Sequence, residues 1–241
     1  LIVILSVLIP GLSVYKKAKQ TYQSTMALKA AVDSQNIAEI KSKLEETKNT
    51  LSALQKSYKV LGWTKLVPIL GAYWKDGDHG LVAASSGLDA ASILLDTIEP
   101  YADIIGLSGA TSDGASDGAK TAQERIDFLV KTIPDVAPKL QSLSEKASKV
   151  SSELSMINPN RYPEKVKGIN AREKVREIQS LVSQGAKLVT DGKPLIEAAP
   201  YLLGIESGRT YLVLFQNDKE LRPTGGFLTA YSVMEVKNGK F

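Results

Sequence analysis

The sequence predicts a mainly α fold: an N-terminal transmembrane helix, an elongated helical bundle with heptad-like seams, and then the start of an α/β or β-sheet domain. Three observations carry this expectation. Residues 1–15 are uncharged and largely apolar, apolar residues then recur with a 3-4 spacing through residues 16–200, and residues 201–241 switch to short runs of β-formers. The composition agrees, since 43% hydrophobic and only 6% aromatic residues suit long helices packed through Leu, Ile, Val and Ala. The net charge of +4 comes from lysines scattered beside glutamates. They read as solvated helix faces, whereas nucleic-acid binding calls for a clustered basic stripe, so no nucleic-acid partner is expected. The absence of cysteine excludes a disulfide framework and any thiolate metal site.

The run from Leu1 to Tyr15 is slightly shorter than the roughly 20 apolar residues of a membrane span. It opens on Leu1 rather than Met, and the chain closes at Phe241 just after a turn signal. An internal piece of a longer protein is therefore expected, with upstream residues completing the anchor. No small-x-small cleavage site follows the run, which sets a signal sequence behind a membrane anchor, and a buried core helix is the third reading. Lys16, Lys17 and Lys19 after the run would by themselves favour a cytoplasmic C-terminal side.

Four seams follow. Ile37, Ile40, Leu44, Thr47, Leu51, Leu54, Tyr58 and Leu61 keep a strict 3-4 beat, as do Leu81, Ala84, Leu88, Ala91, Leu95, Ile98, Ala102 and Ile105. The third runs from Ala122 through Ile133 and Leu140 to Ile157, and the fourth, weaker one from Ala171 to Val189. Such a period holds one apolar stripe on one side of a helix and excludes strands over these lengths. Asn36 with Glu39 reads as an N-cap, Gly62 as a stop, and the stretches 108–118 and 158–168 as breaks. Pro134 and Pro138 predict a kinked or broken third helix. Short connections favour antiparallel neighbours.

Beyond Pro200, Arg209 to Gln216 is apolar on both alternating faces, the pattern of a strand inside a covered sheet. Phe227 to Val236 reads as a second strand, and Asn238-Gly239 as a tight turn into a third that starts at Lys240. The loop between them, QNDKELRPTGG, is the chemically densest in the chain. Asn217, Glu220 and Arg222, followed by Thr224, Gly225 and Gly226, form a candidate binding site in which Arg222 could take a phosphate or carboxylate bidentately. The plainer alternative pairs Arg222 with Glu220 and leaves the glycines to turn the chain.

These C-terminal residues carry a resemblance. Leu202-Leu203-Gly204, RTYLVLFQND, ELRPTGGF and a strand ending in Asn-Gly, taken in order, resemble the bacterial membrane-anchored envelope family catalogued as domain of unknown function 4012. The resemblance implies a single-pass protein of the cell membrane with its bulk extracytoplasmic. It implies no established activity, so catalytic residues stay unknown.

Other sites are weaker. His79 is the only histidine, and a zinc site is not expected. Asp113 to Glu124 can be counted as a calcium loop, but Ala115 stands where a ligand is needed. No metal and no cofactor are expected. The expected function is a structural or binding module of the cell envelope whose partners are membrane lipid and an envelope polymer or another envelope protein. The alternatives are an envelope enzyme acting on a glycopolymer or lipid-linked substrate, with Arg222 and Glu220 in its site, and a membrane signalling receptor. Finally, if two helices of similar length run out and back, Leu61 to Trp74 returns to the membrane surface, with Trp63, Tyr73 and Trp74 at the headgroups.

Overall fold

A computed structural model describes residues 2–102, 107, 118–166, 168, 170–220, 222, 223 and 225–241. It is mainly helical and ends in a two-stranded antiparallel sheet. Helices α1 (Ile2–Asp33), α2 (Ile37–Lys59), α3 (Leu70–Ile98), α4 (Gly118–Ser155) and α5 (Ala171–Leu202) precede strands β1 (Arg209–Asn217) and β2 (Phe227–Val236). The chain divides into two compact units, one of Leu1–Asp113 with Lys139–Gly192, the other of Gly114–Pro138 with Lys193–Phe241.

In the first unit, α1 and α2 form an antiparallel hairpin. Asn36 caps α2 as expected, its side chain accepting from Ala38 N at 3.1 Å and Glu39 N at 3.2 Å. Glu39 accepts from the Ser34 hydroxyl at 3.1 Å, which ties the turn to the first turn of the helix. Along α2 the expected seam is the buried one: Ile37, Ile40, Leu44, Thr47, Leu51 and Leu54 all face inward. Ala31, Ile37, Ile40, Leu44 and Leu95 form the core, with Leu28, Leu88, Ala91 and Ile98 packed against it. Burying each large aliphatic side chain contributes about 1.5–3 kcal/mol. Polar members of the seam are satisfied locally: Thr47 donates to Lys43 O at 2.7 Å, and Ser24 and Thr50 hydroxyls meet across the helices at 2.7 Å.

Helix α3 packs on two sides. Ala83 and Ser86 are buried while Ala84, in the expected seam, is exposed, so the buried face of this helix departs from that seam. Asp89 joins it to α4 and α2, holding Lys146 at 2.7 Å and Lys48 at 3.5 Å. Burial works against its charge, but the hydrogen bond and charge of Lys146, then of Lys48, hold its carboxyl below the usual range. At the far end Lys41 reaches Glu99 at 2.7 Å and Asp96 at 2.9 Å.

Leu70–Tyr101 is the stretch that, among the described residues, is long and apolar enough to cross a membrane. It is internal, not the N-terminal run expected from the sequence, whose residues 1–7 have side chains outside the described set. Its aspartates 76, 89 and 96 all hold cations from neighbouring segments.

Helix α4 is not broken. It runs through Pro134 and Pro138. The prolines stand four residues apart on one exposed face, so the lost N–H groups fall where water can satisfy the freed carbonyls. In α5, the Gln179 amide donates to Leu154 O at 2.6 Å and Ile157 O at 2.8 Å, tying α5 to the chain as it leaves α4. Of the stretch expected to be a connector, 108–117 lies outside the described residues, as does the first part of the calcium count from Asp113, while its remainder, 118–124, is the start of α4.

In the second unit, β1 and β2 pair antiparallel from Arg209↔Val236 to Asn217↔Phe227, with a bulge between Phe215 and Gln216. Asn238 (φ 50°) and Gly239 (φ 70°) make the expected tight turn. Across it Lys237 and Lys240 form an isolated antiparallel bridge. One face of the ribbon carries Arg209, Tyr211, Val213, Met234 and Val236, all partly or fully covered. The other carries Leu212, Leu214, Tyr231 and Val233, all exposed. The covered sheet that β1 predicts is therefore absent among the described residues. Tyr211 donates to Leu202 O at 2.7 Å, and Arg209 lies 3.7 Å over the Tyr201 ring, which fixes the ribbon to the end of α5.

Candidate functional site

Two loops carry the residues singled out by the sequence. In the β1–β2 loop, the Asn217 side chain accepts from Lys219 N at 3.2 Å, turning the chain as it leaves β1. Glu220 O accepts from Phe227 N at 3.1 Å, closing the loop at the start of β2. Arg222 pairs with Glu220 at 2.9 Å, both half-exposed, and its guanidinium sits 5.1 Å from the Phe227 ring. Gly225 takes φ +113°, and a Cβ on Gly226 would stand 2.5 Å from Asn217 O. Both glycines are therefore required by the turn itself. Thr224 lies outside the described residues. Asn217, Glu220, Arg222, Gly225 and Gly226 thus share one small exposed loop, where Arg222 is occupied by Glu220. An external anion would have to displace that carboxylate.

The other loop follows α2. The helix does not stop at Gly62; it tightens into a 3-10 segment over Val60–Leu66, and α3 begins at Leu70. Gly71 lets the chain fold back, since a Cβ there would lie 2.5 Å from Lys65 O. Ile69 is held at φ 70°, a strained conformation for a β-branched residue, and it is 77% exposed. The three aromatics expected at the headgroups separate. Trp74 is buried, stacked on Tyr58 with ring centroids 5.5 Å apart, under Lys65 at 3.9 Å. Tyr73 donates to Arg161 O at 2.8 Å and meets Tyr162 edge-on. Trp63 is exposed, together with Leu66 at 89% and Ile69.

Beneath the loop lies a network that the sequence did not reveal. Asp76, buried in α3, accepts from Arg161 and, at 3.1 Å, from the Tyr162 hydroxyl. Burial, then the bond to Asp76, pushes the Tyr162 phenol up to about 12. Burial, then the charges of Asp78 and Asp76, pushes Tyr58 to about 12 as well. The available signal was an aspartate on an inward-facing helix position beside the aromatics (YWKDGDHG), with Arg161-Tyr162 in a break far along the chain. Nothing in the spacing joins the two. An open cleft of about 440 Å³ is lined here by Lys65, Leu66, Ile69, Lys75, Asp76 and Arg161 among others.

Residues 206–241 match the family model described as Protein of unknown function (DUF4012). The match covers the ribbon, its loop and the Asn-Gly turn, and agrees with the resemblance read from the same residues. No curated protein and no solved structure matches the chain.

Proposed function

We propose that the chain is a membrane-anchored extracytoplasmic protein of the bacterial cell envelope, acting as a structural or binding module. Its first unit stands on the bilayer through the end that carries Trp63, Leu66 and Ile69. The observation behind this reading is the pairing of two apolar surfaces at one end of that unit. Carrying the register of the Ser24–Thr50 contact to the end of α2 sets Lys59 level with Tyr15. The loop that follows therefore lies beside the part of α1 where Leu8, Ile9 and Leu12 are exposed. Exposed apolar patches of this kind mark membrane or partner contacts. The cations Lys16, Lys17, Lys19, Lys59 and Lys65 border them, which places charge where headgroups would be. The extracytoplasmic side comes from the family resemblance, and the ribbon's bare face and the Arg222 loop are the surfaces offered to an envelope polymer or protein.

The test is tryptophan fluorescence in liposomes bearing lipid-attached quenchers. Trp63 should dim and buried Trp74 should be spared, so Trp63→Phe removes the quenchable fraction. Equal protection of both tryptophans in folded protein would refute the docking. A reporter fused after residue 241 should be active outside the cytoplasm, and activity inside would reverse the orientation.

A further inference from the structure

The cleft under the Val60–Ile69 loop has a charge balance that the fold does not use. Lys75 is exposed and has no ion-pair partner among the described residues. Lys65 makes a single described contact, over the Trp74 ring. The carboxylate in the lining, Asp76, is already taken by Arg161 and Tyr162, and His79 donates to Glu153 at 2.7 Å. The unpaired charge facing the cleft is thus positive. A volume of about 440 Å³ suits a small polar group, within the roughly 300–1,000 Å³ of ligand sites. The rim is different in kind: Leu66 and Ile69 stand out into solvent beside Val67 and Pro68. Cations in the lining and aliphatic side chains at the lip match an amphiphilic anion, and a free anion would have no use for that lip.

We propose that this cleft is a headgroup site for an anionic phospholipid, with Lys65 and Lys75 meeting the phosphate while Leu66 and Ile69 enter the acyl layer. The proposal rests on the membrane-docked reading above and adds a lipid preference to it. The positive φ of Ile69 accompanies an aliphatic side chain that stands 77% exposed at the lip. Arg161 stays with Asp76 and positions the floor of the cleft.

The experiment uses the full chain in detergent and in nanodiscs, with phosphatidylglycerol, phosphatidylcholine and inorganic phosphate as probes. Native mass spectrometry should show phosphatidylglycerol retained in preference to phosphatidylcholine. Lys65→Gln/Lys75→Gln should weaken that preference at least about tenfold, given about 1 kcal/mol per basic residue near an anionic surface. Because Lys65 also covers Trp74, Lys75→Gln alone is the second variant, and it should lose part of the preference with an unchanged melting temperature. Millimolar inorganic phosphate should neither bind nor compete. Equal retention of the two lipids, or a preference untouched by both variants, overturns the proposal, and competition by inorganic phosphate assigns the cleft to a free anion instead. Quenching of Trp63 is read in the same nanodiscs. Quenching without a lipid preference overturns the headgroup site and leaves membrane docking standing, whereas no quenching removes the docking and the site together.

Discussion

The seam of α2 and the ribbon of β1 and β2 are both rich in aliphatic residues, yet they meet opposite fates. In α2 the apolar positions fall on one stripe, two neighbouring helices cover it, and Leu44 is left 2% exposed. In β1 the apolar positions fall on both faces, α5 and its turn cover one, and Leu212 is left 64% exposed. A helix with one stripe satisfies itself against a hairpin partner a few residues away in sequence. A strand with two apolar faces needs a second layer, and two strands do not supply it. Ion pairs in the two units repeat the contrast: Asp76 of α3 is enclosed with Arg161, whereas Glu220 and Arg222 of the ribbon's loop meet in the open.

The largest expected effects test that last contrast. Asp76→Ala strands Arg161 and the Tyr162 hydroxyl in a covered site and should cost about 3–5 kcal/mol in urea unfolding. Glu220→Ala should cost at most about 1 kcal/mol. Similar losses at both sites would break the comparison. Next come the aliphatic residues. Leu44→Ala should lose about 3 kcal/mol, and Leu212→Ala about 0.5 kcal/mol or less. A large loss at Leu212 would show that its face is covered in solution.

The sequence made the helical half of this legible because a 3-4 repeat names the buried face. Every seam position of α2 from Ile37 to Leu54 is inside. Its prolines predicted a kinked or broken α4, and the helix is not broken there: Pro134 and Pro138 fall four apart on an exposed face. It placed Asn217, Glu220, Arg222, Gly225 and Gly226 in one loop, which adjacency alone guarantees. It could not find Asp76 with Arg161 and Tyr162, since 85 and 86 residues separate the partners and no periodicity links them. Nor could it distinguish Trp63 from Trp74. Both stand in the same apolar segment, and only the packing of Tyr58 decides which is enclosed.

Smaller effects sharpen the bundle side. Tyr58 and Tyr162 have folded values near 12 against 10.0 for the free phenol. Raised values mean that their contribution is complete below pH 10 and is lost as pH rises toward 12. Alkaline unfolding between those limits should be shallower in Tyr162→Phe, and an unchanged slope would deny the burial of its hydroxyl. At the acid end, Asp89 is lowered from 3.8, so its contribution is complete above that value and fades as pH falls through the lower folded one. Asp89→Asn should flatten the acid limb slightly, read as the urea midpoint against pH.

The contrast between the two exposed apolar surfaces also supplies the most direct test of membrane docking. Because the chain has no cysteine, Leu66→Cys and Leu212→Cys each give a single site for a nitroxide label. In liposomes, the label at 66 should be relaxed by lipid-dissolved oxygen and shielded from a water-soluble nickel chelate. The label at 212 should show the reverse. A label at 66 that the chelate reaches as readily as the one at 212 would contradict the docking of this end of the bundle on the membrane.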